Sequence, residues 1–96
     1  MTSATLPIIQ QLIDADGDRA RAALLLRMPD SVVMRHADDV GDVCRQTRFD
    51  VGLQYVDCRL ALMLATRGAD GLLPAAAVAA FEDFRLALFA FANGGG

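Results

Sequence analysis

The sequence predicts an all-α protein: a small antiparallel helical bundle in which a long central helix, straight or kinked, packs against an apolar C-terminal helix. Three observations carry this. Apolar residues recur at steps of three and four through most of the chain, the spacing of a helix face. Pro7, Gly17, Pro29, Gly68 and Pro74 fall at the boundaries of these periodic runs. Sustained apolar/polar alternation, the mark of a half-buried strand, is absent. A chain of 96 residues makes one domain, taken as residues 1–93, with a glycine tail without fixed structure over 94–96.

The first helix is expected to begin near Leu6, with Thr5 as N-cap and Pro7 tolerated in the first turn. Leu6, Ile9 and Ile13 share a face, with Ile8 and Leu12 beside it. Gly17, set among Asp14, Asp16 and Asp18, marks a break or at least a soft joint, giving two short helices or one kinked one. Asp16 or Asp18 then caps a second helix running to about Arg27, with Arg21 in ion-pairing reach of Asp18. Leu24, Leu25 and Leu26 are consecutive and cannot share one face. Pro29 disfavours the α conformation at Met28 and ends this helix.

Asp30 or Ser31 caps the next segment, and no proline appears from Val32 to Arg67. Val33, Ala37, Val40, Cys44, Thr47, Val51, Tyr55, Cys58, Leu62 and Ala65 keep one helical phase throughout. That favours a single helix, roughly 54 Å long at 1.5 Å per residue. The competing arrangement breaks it at Phe49–Gly52 with Asp50 as a new N-cap; Gly41 is a second weak point. Before Phe49 one apolar face is opposed by Arg35, Asp38, Asp39, Asp42 and Arg45. Beyond it, Leu53, Val56, Leu60, Met63 and Leu64 add a second apolar sector. Phe49 to Leu64 is therefore expected to be the most buried part of the segment, and the partner of the last helix across a turn at residues 68–73.

The last helix, Leu73 to Asn93, is apolar except for Glu82, Asp83 and Arg85. Pro74 suits a first helical position, and Asn93 and Gly94 suit a C-terminal cap. Ala77, Phe81, Phe84, Leu88 and Phe91 form the core stripe. Leu86, Phe89, Ala79 and Ala90 lie away from it and are spare in a monomer. The length is near that of a membrane span, but three charges in the middle argue against insertion.

Charge narrows the function. The net charge is −3, and nine arginines are scattered among eleven aspartates, so the basic footprint that collects phosphates is missing and no nucleic-acid partner is expected. A helix-turn-helix over Arg19–Arg48 fails for a related reason: its recognition helix carries Asp38, Asp39 and Asp42. Basic residues that are all Arg, acids that are nearly all Asp, and seventeen alanines fit the amino-acid usage of a GC-rich bacterial genome. The opening MTSATLPII lacks a basic region and a long apolar stretch, so a cytoplasmic protein with reduced Cys44 and Cys58 is expected.

Candidate chemistry is thin. Asp14-Ala-Asp16-Gly17-Asp18 resembles a calcium loop, yet glycine is at position four rather than six and Leu25 stands where a bidentate Glu belongs. His36, near Asp38 and Asp39, is a poor metal set and reads as a solvated charged face. Cys44 and Cys58 on one continuous helix would stand about 21 Å apart, too far to bond within it. No catalytic residue, metal or cofactor is assigned.

The expected function is a non-enzymatic protein–protein interaction module, a small adaptor, accessory or regulatory subunit. It pairs with itself as a homodimer, or with another protein. The candidate interface is Phe49, Leu53, Val56, Leu60, Leu64, Leu86, Phe89 and Ala90. The alternative is a bundle enclosing an apolar small molecule between helices lined by Phe, Leu and Met.

Overall fold

The computed structural model describes residues 7–94. Five helices and no strand are present among them: α1 (Pro7–Asp14), α2 (Asp18–Arg27), α3 (Asp30–Gln46), α4 (Asp50–Met63) and α5 (Ala75–Ala92). The helical bundle expected from the sequence is the fold. The proposed Thr5 cap, the Leu6 contact and Gly95–Gly96 lie outside the described residues.

α1 buries Ile9 and Leu12, while Ile13 is half exposed, so its core face is centred one position away from the Ile9–Ile13 line expected. Gly17 makes the break before α2, at φ +108°, a region open to glycine alone. It is also the N-cap, in place of the expected aspartate, and no side chain caps the helix. Asp18 instead accepts two hydrogen bonds from Arg21, at 2.9 and 3.1 Å, and Arg21 also donates to the Ala15 carbonyl at 3.3 Å. One arginine thus ties the α1–α2 joint together. Of the three consecutive leucines only Leu25 is fully buried. Met28 is extended, as the following proline requires.

The central segment is two helices, not one. α3 ends at Gln46, Arg48 turns into the left-handed region at φ +57°, and α4 starts at Asp50. The amide of Phe49 donates to the Cys44 carbonyl at 2.8 Å, and the amide of Arg48 to the Arg45 carbonyl at 3.2 Å. These are the two bonds of a Schellman cap. The Thr47 hydroxyl satisfies a third carbonyl, that of Val43, at 2.8 Å. The break comes at residues 47–49, overlapping the Phe49–Gly52 break of the competing arrangement only at Phe49, which rather than Asp50 is the N-cap of α4. A straight helix of roughly 54 Å would have outrun the molecule, whose Cα extents are 45 × 39 × 19 Å. α3 carries a second irregularity at His36, where φ −122° and ψ 25° kink it.

Gly52 is not a hinge. It lies inside α4 and is buried, with the Phe49 ring and Leu25 seated over it; a Cβ there would stand 2.5 Å from a Phe49 ring carbon and 3.0 Å from a Leu25 methyl. α4 ends at Met63, short of the Arg67 end expected, and the connection to α5 is correspondingly longer. Within that connection Gly68 donates to the Leu72 carbonyl at 2.9 Å, the Asp70 carboxylate accepts from the Leu72 amide at 3.0 Å, and Arg67 donates to the Gly71 carbonyl at 2.8 Å.

α5 packs against α4 and α2, and α4 against α3. Ring pairs fix the direction: Phe49 meets Phe91 at 5.7 Å and Tyr55 meets Phe81 at 5.6 Å between centroids. Numbers rise along α4 as they fall along α5, so the pair is antiparallel. Ile9, Leu12, Leu25, Met28, Val33, Val40, Cys44, Phe49, Tyr55, Val56 and Leu88 make one continuous core.

Arg59 joins the layers. Its guanidinium donates to the carbonyls of Leu25 (3.2 Å) and Met28 (2.6 Å) and to the Asp30 carboxylate (2.6 and 3.2 Å). It thereby satisfies the C-terminal end of α2 and holds the start of α3 from a position on α4. The side chain is 11% exposed.

Candidate interaction surface

The eight candidate interface residues divide into three groups. Phe49 and Val56 lie inside the protein's own core, each 2% exposed, and present nothing to a partner in this fold. Leu53 and Leu60 are half-buried. Leu64, Leu86, Phe89 and Ala90 are exposed. The burial along the central segment is the reverse of that expected: α3 buries Val33, Val40, Gly41, Val43 and Cys44, whereas α4 buries only Gly52, Tyr55 and Val56. α4 packs between α3 and α5, and just beyond its end Leu64 is 65% exposed.

α5 is where apolar sequence and burial diverge most. Among its eighteen residues only Leu88 is fully buried. The expected stripe does face the core, since Phe81, Phe84 and Phe91 pack against the buried cluster. The opposite side carries Val78, Leu86 and Phe89, exposed at 42%, 49% and 53%. At about 100° per residue, Val78, Glu82, Phe89 and Leu86 fall within a sector of roughly 80°. Val78 was not among the sequence candidates, although its spacing of four and eleven from Glu82 and Phe89 is the same helical signal.

Midway along this face Glu82 forms a bidentate pair with Arg85, which stands one turn on at the edge of the face. The hydrogen bond from Arg85 holds the Glu82 carboxyl below its ordinary range, and the same bond raises the guanidinium. The charges therefore persist through the neutral range, and they divide the apolar face into two halves. The N-terminal half carries small side chains, Ala75, Val78 and Ala79; the C-terminal half carries Leu86 and Phe89.

Two shallow grooves lie elsewhere. One, of about 370 Å³, is bounded by Pro7, Ile8, Leu24, Pro29 and Val32, with Gln11 and Arg27 at its edge. The other, of about 390 Å³, is bounded by Met34, Leu62, Met63 and Leu73, with Asp30 and Arg67. No phenylalanine borders either.

The reactive side chains are separated. Cys44 is fully buried, and burial pushes its thiol up to about 11, so it stays protonated and unreactive at neutral pH. Cys58 is half-buried on α4, and both cysteines are free thiols. His36 Nδ1 lies 3.6 Å from Asp39 Oδ2 at the kink of α3. Asp18 is engaged by Arg21. Among the described residues no three of His, Cys, Asp and Glu converge as a metal set, and no helix is long and apolar enough to cross a membrane. Comparisons with protein-family models, with curated proteins and with solved structures find no match.

Proposed function

We propose that the protein is a non-enzymatic interaction module that acts through the outer face of α5, pairing with a second copy of itself in the cytoplasm. One observation carries this reading: the most apolar helix of the chain leaves Val78, Leu86 and Phe89 about half exposed on a single face. Large apolar side chains gathered on one helix face mark a contact site more often than scattered exposed leucines do. The end of α4, with exposed Leu64, is the second candidate area.

Light scattering over a dilution series tests the reading. The native chain is expected at twice its 10.3 kDa mass, dissociating on dilution. Leu86→Arg with Phe89→Asp is expected to give a folded monomer, because neither side chain belongs to the core. A native chain that stays at 10.3 kDa at every concentration would overturn self-association.

A second reading rests on the groove between α1, α2 and the start of α3, whose Ile8, Leu24 and Val32 offer an apolar seat beside Arg27. Its volume lies at the small end of ligand sites. Native mass spectrometry of the purified protein tests it through a co-purified apolar molecule.

A further inference from the structure

We infer that the second copy docks antiparallel along α5, with the two-fold axis passing between Glu82 and Arg85; this rests on the self-association proposed above. The argument is one of self-complementarity. A two-fold contact must place a surface against itself reversed. With the axis midway between Glu82 and Arg85, position 82 of one copy faces 85 of the other, and position 78 faces 89. Each Glu82 then meets an Arg85, and each Val78 meets a Phe89. The small side chains of Ala75 to Val78 lie level with Phe89 to Ala92 of the other copy.

The parallel arrangement fails on the same residues. It sets Glu82 against Glu82 and Arg85 against Arg85, pairing like charges. It also sets small against small and Phe89 against Phe89, which leaves a gap at one end and crowding at the other. The antiparallel pair keeps both charges neutralised at the centre of the contact, where an unpaired charge is most costly. Val78 and Phe89 are exposed and lie within about 20° of each other around the helix, so both can be covered by one neighbouring helix.

Disulfide trapping tests the arrangement. In a Cys58→Ser background, Val78→Cys, Phe89→Cys and the double variant are oxidised and weighed by mass spectrometry. Positions 78 and 89 are about 16 Å apart along one helix, beyond disulfide reach within a chain or between identical positions of an antiparallel pair. The double variant is expected to give a covalent dimer, and each single variant to remain a single chain. Single variants that cross-link as readily as the double would show a parallel dimer, overturning this inference while leaving self-association intact. A native dimer by scattering with no cross-link in any variant would also overturn it, placing the contact on another face. A native monomer by scattering would overturn the underlying reading.

Because Phe89→Cys removes contact area, charge reversal provides an independent measurement. Glu82→Arg and Arg85→Glu are each expected to weaken dimerisation at least about tenfold. An equal mixture of the two chains is expected to recover the native affinity, although neither chain regains its internal ion pair. Single variants that dimerise as well as the native chain would exclude the antiparallel contact.

Discussion

Arg59 offers the sharpest test of how the layers are held. Its guanidinium binds two main-chain carbonyls at the end of α2 and one carboxylate at the start of α3. Arg59→Met removes the donors and keeps most of the apolar stem. The Leu25 carbonyl retains the Met28 amide at 3.3 Å, so the loss falls mainly on the Met28 carbonyl. A hydrogen bond from a charged donor is worth about 1.5–3 kcal/mol. The Asp30 ion pair adds little, about 0.2–1 kcal/mol, since that carboxylate side chain is 73% exposed. The sum is a loss of roughly 2–4 kcal/mol, a large share of the stability of so small a domain. At about 5 °C per kcal/mol, the thermal midpoint should fall on the order of 10–20 °C. Circular dichroism melting of Arg59→Met beside Asp30→Asn separates the two contributions, and Asp30→Asn should lose no more than about 1 kcal/mol. If Asp30→Asn were as damaging as Arg59→Met, the ion pair rather than the carbonyl contacts would hold the junction. If Arg59→Met melted within a degree or two of the native chain, the bridge from α4 to the α2–α3 junction would be energetically irrelevant.

Three further outcomes are expected from the same structure. Arg48 occupies the left-handed region at φ +57°, which costs a non-glycine residue about 1–2 kcal/mol; allowing for the freer unfolded chain, Arg48→Gly should raise stability by about 0.5–1 kcal/mol in urea unfolding, and a loss would contradict the cap geometry. Gly52→Ala should destabilise by about 1–2 kcal/mol despite the gain in helix propensity, because the new methyl enters space held by the Phe49 ring and Leu25; a stabilised variant would show that the ring moves freely. Cys44 should make stability fall in alkali: burial raises its folded value to about 11 above the ordinary thiol value, so its contribution is complete below about pH 9 and lost as the pH rises through 11. The two-unit difference corresponds to about 2–3 kcal/mol. Cys44→Ala should show a shallower decline between pH 9 and 11, with the remainder including Tyr55, whose hydroxyl is also raised by burial.

Much of the fold was legible because its determinants are local. The breaks at Gly17 and Pro29 depend on backbone preferences of single residues, and they appear where those residues stand. The core stripe of α5 follows from spacing alone, and so does the exposure of Leu86 and Phe89 opposite it. The antiparallel α4–α5 pair was expected from a six-residue turn; the connection is longer, and the ring pairs Phe49–Phe91 and Tyr55–Phe81 fix the direction.

Tertiary structure decided the rest. The break at residues 47–49 has no glycine to announce it; an arginine accepts the left-handed turn because Phe49 is then seated in the core against Phe91 and over Gly52. The apolar phase continues across this break, since both helices face the same core, so periodicity alone could not separate one helix from two. The assignment of Phe49 and Val56 to an interface illustrates the same limit. Pattern marks a residue as wanting burial, but only the packing of neighbours shows whether its own chain or another supplies the cover. Arg59 was silent in the sequence for a related reason, as its acceptors lie 29 to 34 residues away. An arginine amid the apolar sector of α4 signals that acceptors must exist, and the fold alone locates them. The outer face of α5 is the remaining case: the sequence determined that it is apolar apart from its few central charges, and the tertiary structure left it uncovered because α2 and α4 pack on the other side.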